Sequence, residues 1–274
     1  MRTAGSAATG RHDLPAAPPT RTIVRLLGMP VDVISEAGAI EHILTGAAAG
    51  RGGVVVTPNL DHLRIYEDDE MVRDGYERAD LSLADGMPLV WAARLQGTPL
   101  PERVAGSDLT VSLAAAAADA GRSLFLLGGN AGVADAARAV LEARHPGIVV
   151  AGAHCPPMNF DQDDLEMRRT ESLLAAAGPP DIVYVGISFP RSLEVCHRLH
   201  ARFPQTWFLG VGISLSFISG EVSRAPSWMS AAGLEWVHRI SQEPRRLARR
   251  YLIDGIPFGA RLLRGAAAAR SSRR

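Results

Sequence analysis

Residues 54–66 read VVVTPNLDHLRIY, and residues 79–91 read ADLSLADGMPLVW. In the first stretch Val54–Thr57 has the length and composition of a short buried strand, and Pro58 stops it. Asn59 and Asp61 follow at once. In the second stretch a short apolar run, Leu81–Ala84, delivers Asp85 and Gly86. A parallel α/β protein releases its reactive polar groups at such strand ends. The bland alternative is that Asp61 and Asp85 cap helices and Gly86 turns the chain. Asp85 is the stronger candidate for chemistry, because the same strand-end placement recurs at Asn59. The residues between the two stretches predict a helix with His62, Leu63, Ile65, Tyr66, Met71, Val72 and Tyr76 on or near its apolar face. Asp80 reads as a cap or turn residue. A helix over 87–95 carries Trp91 and is expected to pack behind Asp85.

Outward from this centre the chain repeats one rhythm. Strands are expected at 23–27, 31–34, 123–127, 148–151, 182–185 and 206–209, with 31–34 as an edge strand. Ser35 is the expected N-cap of the first helix. Asp108 is the expected cap of an alanine-rich helix over 109–120, and also a second candidate acid. Strand ends run into Gly128 and Gly129, Gly186, and Gly210–Gly212. A strand, a glycine-rich turn and a helix can present backbone amides to a phosphate. The repeated alternation predicts an α/β fold, a Rossmann-like and mostly parallel sheet with helices on both faces. Asn59, Asp85, Gly128, Gly186 and Gly212 then share the carboxyl edge of the sheet. Four segments are expected: a flexible leader (1–20), an α/β catalytic domain (21–212), a helical basic C-terminal appendage (213–265) and a frayed basic tail (266–274).

Composition narrows the functional classes. The 274 residues are 47% hydrophobic with a formal charge of zero. Residues 236–274 nevertheless hold ten arginines against Glu243 and Asp254, a balance of +8, so the remainder carries −8. A neutral or acidic body with a basic end fits a local anionic partner and argues against a nucleic-acid binder. Cys155 and Cys196 are too few for a disulfide scaffold. The N-terminus lacks the apolar run of a secretory signal, and no stretch of about 18 apolar residues predicts a membrane span. The chain contains no GxSxG elbow, Walker motif, nicotinamide fingerprint or zinc spacing, so neither a metal nor a cofactor is expected. What remains is one deep-set acid, a polar neighbour, glycine loops and C-terminal arginines. An acid can deprotonate a hydroxyl, and arginines can hold a diphosphate. That combination suits glycosyl transfer from a nucleotide sugar.

These residues resemble the WecG/TagA/CpsF glycosyltransferases. The resemblance rests on Thr57 and Asn59, on Ala84–Asp85–Gly86, on Gly106–Asp108, and on the glycine-rich strand ends. Its most specific part is RAPSWMSAAGLEWVHRISQEPRRLARRY, residues 224–251. Membership implies an inverting transferase using a UDP-sugar, with N-acetylmannosamine or its uronic acid added to a glycan on a polyprenyl diphosphate. It implies Asp85 as general base, with Thr57 and Asn59 lining the donor pocket. Arg224, Arg239, Arg245, Arg246, Arg249 and Arg250 would serve the acceptor diphosphate or an anionic membrane surface. The expected place is the cytoplasmic face of the cell membrane, bound peripherally, and a homo-oligomer is compatible with the sequence. Where the family carries a Pro-x-Gln-Glu element this chain has Pro190–Glu194, with Ser192 in the glutamine position. That departure keeps a second reading in view: a non-catalytic sugar-nucleotide or phospholipid-binding protein.

Overall fold

The computed structural model describes residues 21–225, Met229 and residues 249–271, with the backbone alone for residues 249–251. The leader expected at 1–20 lies outside the described residues, as do Arg239, Arg245 and Arg246. β1 (Ile23–Leu26) and β2 (Met29–Asp32) form an antiparallel hairpin turning at Leu27–Gly28. The expected strand at 31–34 is thus displaced toward the turn. It is not an edge of the main sheet: Met29–Asp32 pairs with β1 in a separate two-stranded sheet.

The main sheet has six strands, all parallel: β3 (Gly53–Val56), β4 (Leu81–Ser82), β5 (Ser123–Gly128), β6 (Val149–His154), β7 (Ile182–Gly186) and β8 (Trp207–Gly210). Their order is β4-β3-β8-β7-β5-β6. The chain leaves β3 outward to β4 and leaves β5 outward, in the opposite direction, to β6. β7 and β8 then fill the gap. All six carboxyl ends meet on one edge.

Alternation along the central strands explains why both faces are covered. Val54, Val56, Phe125, Leu127, Val183, Val185 and Phe208 enter one core. Val55, Leu124, Leu126, Ile182, Tyr184, Trp207 and Leu209 enter the other. Side chains of period two bury on opposite faces, so each strand feeds two layers. α2 (Leu60–Asp68), α3 (Glu70–Glu77), α4 (Met87–Gln96), α7 (Asp164–Ala176) and α8 (Arg191–Arg202) contribute to the first layer, together with the hairpin. α1 (Glu36–Ala48), α5 (Gly106–Asp119), α6 (Val133–Arg144) and α9 (Ser214–Ser219) form the second.

Several local expectations meet their physical explanation here. Ser35 caps α1 by accepting from Gly38 N–H. The single helix expected between the key strands is two, because Asp69 ends α2 and caps α3. Asp80 is structural, its carboxylate accepting from Val54 N–H. Trp91 of α4 is 51% exposed, while Leu89, Ala92 and Ala93 of the same helix are buried. Leu215 and Ile218 of α9 are buried in the second core, so residues 214–219 pack as part of the main body. After a π-helical turn at Arg249–Gly255, α10 (Ile256–Ser271) packs along α4 and α2. Ala266 is buried and the helix runs to Ser271, so residues 266–271 continue the helix where a frayed tail was expected.

Asp32 fastens the hairpin to the sheet. Its buried carboxylate accepts from Arg21 Nε at 2.9 Å and Nη2 at 2.7 Å, and from the β4 amide of Ser82 at 2.7 Å. Asp32→Ala leaves that amide and a half-buried guanidinium without their shared acceptor. It is expected to lower stability by about 3 kcal/mol in urea unfolding.

Candidate active site

Backbone hydrogen bonding carries β3 and β4 past their formal ends. Leu83 N–H donates to Val56 O and Asp85 N–H to Pro58 O, each at 2.8 Å. On the other side Val104 N–H donates to Ala84 O at 2.9 Å. Asp85 is therefore fixed by a ladder. Gly86 follows with φ +146°, a conformation that favours glycine, and opens α4. A Cβ placed on Gly86 would stand 3.9 Å from Asn59 Cβ, so the two strand ends lie side by side.

Asn59 both caps a helix and faces this edge. Its Oδ1 accepts from Asp61 N–H at 3.0 Å and His62 N–H at 3.1 Å, so Asn59, not Asp61, is the N-cap of α2. Asp61 instead pairs with Arg64 at 3.1 Å. With the carbonyl engaged twice, Asn59 can act on a ligand only through its Nδ2 donors.

Asp85 is 28% exposed at the side chain and borders the start of α5. Its Oδ2 accepts from Gly106 N–H at 3.2 Å, and Arg103 Nη1 stands 4.0 Å from Oδ1. Ala105, not Asp108, is the N-cap of α5, and Asp108 lies in its first turn. Arg103 Nη2 is 3.6 Å from Asp108 Oδ2, and Arg224 bonds both Asp108 Oδ1 and Ser107 Oγ. Gly106 permits this convergence: a Cβ there would lie 2.8 Å from Thr57 Oγ1.

Below Thr57 is a small cavity of about 20 Å³. Ser192, His62, Tyr76, Phe189 and Gly210 help line it. Ser192 and Thr57 thus border the same small cavity. The His62 ring stacks on Phe189 with centroids 3.7 Å apart, and its Nδ1 lies 2.9 Å from the Tyr76 hydroxyl. Burial pushes the Tyr76 hydroxyl well above its ordinary pKa, with a smaller contribution from the negative charge of Asp85. Asp161 and Asn159 bind Arg191, which anchors the loop after β6 to the first turn of α8. The Arg191 hydrogen bonds hold the Asp161 carboxyl below its ordinary range.

The glycines divide. Gly128 and Gly186 have packing reasons: a Cβ on Gly128 would lie 2.7 Å from Gly186 O, and one on Gly186 2.7 Å from Leu215 Cδ1. Gly129 N–H donates to Gly186 O at 2.9 Å, so that amide is engaged within the protein. Gly212 sits in the turn before α9. Arg224 reaches the edge that holds Asp85. Arg249 and Arg250 lie on the π-helical turn. Sequence reasoning did not assign roles to Arg103, His62, Tyr76 or Phe189. Arg103 carried one usable signal, its place just before a helix start that also holds an acid.

The chain matches the Glycosyl transferase WecG/TagA/CpsF family over residues 24–272. It belongs to that family. Three relatives carry the name N-acetylglucosaminyldiphosphoundecaprenol N-acetyl-beta-D-mannosaminyltransferase. The protein of Bacillus subtilis (strain 168) is 28% identical over 198 residues, 72% of this chain and 75% of the relative. That of Bacillus spizizenii (strain ATCC 23059 / NRRL B-14472 / W23) is 32% identical over 171 residues, 62% and 64% of the two chains. That of Staphylococcus aureus (strain MW2) is 27% identical over 228 residues, 82% and 87%. The WecG/TagA/CpsF match thus spans both the sheet edge and the basic C-terminal segment, and the protein is a glycosyltransferase.

The double engagement of Asn59 yields a test within this WecG/TagA/CpsF site. Asn59→Asp keeps the cap, since aspartate caps as well as asparagine. It replaces the Nδ2 donors with an acceptor oxygen. Transfer is expected to fall by about tenfold or more while thermal unfolding stays unchanged. Unchanged transfer in a variant of unchanged stability would mean that Asn59 only caps.

Proposed function

We propose that this glycosyltransferase moves N-acetylmannosamine, or its uronic acid, from a UDP-sugar to a glycan carried on a polyprenyl diphosphate, in cell-surface polysaccharide assembly. The observation that carries the reading is the placement of Asp85. Its carboxylate is fixed at the carboxyl edge of the sheet beside Asn59, between Gly106 N–H and the Arg103 guanidinium. The names of the three relatives supply the sugar and the lipid-diphosphate acceptor.

In this mechanism Asp85 takes the proton of the acceptor hydroxyl. That oxygen forms the new bond to the anomeric carbon on the face opposite UDP. The bond from that carbon to the phosphate oxygen breaks, and its electron pair leaves with UDP. In-line displacement inverts the anomeric centre. Asn59 donates to oxygen atoms of the donor sugar or its phosphates, and Thr57 borders the same pocket. Arginines near the edge offset the charge gathering on the leaving diphosphate. Ser192 stands where the family carries a longer amide, so it bears on which donor sugar is accepted.

Transfer to a GlcNAc-diphosphate-polyprenol should be assayed across a panel of UDP-sugars that includes UDP-N-acetylmannosamine. Asp85→Asn is expected to lower kcat by about 100-fold or more with donor binding retained, the size of a general-base contribution. Nucleotide-sugar binding without turnover across the panel would favour the binding-protein reading instead.

The same reading places the enzyme peripherally on the cytoplasmic face of the membrane. Among the described residues no helix is long and apolar enough to cross a bilayer. Leu252, Ile253 and Ile256 are exposed on or beside the π-helical turn that carries Arg249 and Arg250. Apolar side chains flanked by arginines suit an anionic lipid surface. Ile253→Glu and Ile256→Glu are expected to reduce co-sedimentation with phosphatidylglycerol vesicles about fivefold or more. Unchanged co-sedimentation would remove this turn from the membrane contact.

A further inference from the structure

From the charge chain at the start of α5 we infer that Asp108 is a positioning residue, one that holds Arg103 and Arg224 in the geometry that receives a diphosphate. This deepens the transferase reading, on which it rests for the identity of the substrate. Four charged groups alternate in sign across this edge: Asp85, Arg103, Asp108 and Arg224. Arg103 stands between the two carboxylates, 4.0 Å from Asp85 and 3.6 Å from Asp108. Arg224 reaches from the segment after α9 and bonds Asp108 Oδ1 and Ser107 Oγ. Asp108 thus directs one carboxylate oxygen to each guanidinium. A general base instead needs an oxygen turned toward its proton donor, and Asp85 lies on the other side of Arg103.

Placement strengthens the argument. Asp108 sits on the first turn of a 14-residue helix whose inner side is buried, with Leu109, Thr110 and Leu113 in or near the core. Its backbone is therefore a rigid mount. Arg224 belongs to a segment that has left the last helix of the main body. Fixing that arginine to a rigid helix removes much of the rotamer freedom that diphosphate binding would otherwise have to remove.

The inference predicts a sign that bare electrostatics does not. Removing an anion beside two cations should, by charge alone, tighten the binding of another anion. Asp108 is 38% exposed, so solvent screens that gain. The loss of guanidinium geometry should dominate.

Binding of inorganic pyrophosphate to the full chain, measured by calorimetry, tests this without requiring turnover. Asp108→Asn and Arg224→Gln should each weaken binding about tenfold, the scale of one misplaced charge-assisted contact. The double variant should bind no more weakly than the worse single variant, because the two residues act as one unit. Asp108→Glu should recover most of the affinity. Thermal unfolding of each variant identifies any loss that comes from misfolding, and the Glu rescue and the cycle still read the pairing in a destabilised protein. In the transfer assay Asp108→Asn should raise KM for the substrate diphosphates more than it lowers kcat. Unchanged or tighter pyrophosphate binding in Asp108→Asn overturns the inference, as do additive losses in the cycle. A 100-fold fall in kcat with normal pyrophosphate binding overturns it too, and would make Asp108 a proton-transfer group. If the pyrophosphate cycle holds while no UDP-sugar is turned over, the transferase assignment fails and the positioning role stands.

Discussion

The parallel ladder of β3 is the constraint on which the site depends. β3 is paired on one side with β4 and on the other with β8, and its bonding to the β4 chain continues beyond both strands. The amides of Leu83 and Asp85 donate in turn to Val56 and Pro58 carbonyls. Pro58 has no amide to give, yet its carbonyl still accepts, so the proline ends the strand without ending the register. Two residues remote in sequence, Asn59 and Asp85, are thereby held as neighbours by main chain. A site built on such a frame keeps its geometry when side chains around it move.

Around that frame the helix starts are the second organising feature. Asn59 is the N-cap of α2 and Gly86 that of α4, α5 begins at Gly106, and α8 begins beside Phe189 and Pro190. Amides of a first helical turn lack helical partners and favour anions. Here some are satisfied from within: Asn59 serves α2, and Asp85 accepts from Gly106 at the start of α5. The proposed base therefore also serves as an acceptor for a helix end. Its position is set by the helix as much as by the strand.

The hairpin and α10 complete the first core layer from the ends of the chain. Val24, Leu26, Met29 and Val31 of the hairpin and Phe258, Leu262 and Ala266 of α10 join a single cluster with α2, α3 and α4. α10 also ties to the end of α2 through Arg261 and Glu67. α10 is thus continuous with the wall that carries Asn59. Contact of α10 with a surface or substrate would bear directly on the helix that starts in the site.

Sequence alone determined the α/β class, both layers of helices and the strand-end position of Asn59 and Asp85. It could do so because period-two burial, prolines and glycines after apolar runs, and cap residues such as Ser35 are local signals. The family resemblance was also legible, since it rests on a dense run of residues at 224–251. Tertiary structure alone decided the strand order, the separation of β1 and β2 from the main sheet, and the exposure of Trp91. Those outcomes depend on which faces find partners, and neither periodicity nor propensity encodes that. It also decided that Asn59, not Asp61, caps α2, and that Asp108 meets Arg103 and Arg224 and does not cap α5. The Asp108–Arg224 contact joins residues 116 apart in the chain, whereas the Asn59 cap is local and turns on where β3 releases the chain. Spacing in sequence shows which groups are present, but only folding fixes which charge stands beside which.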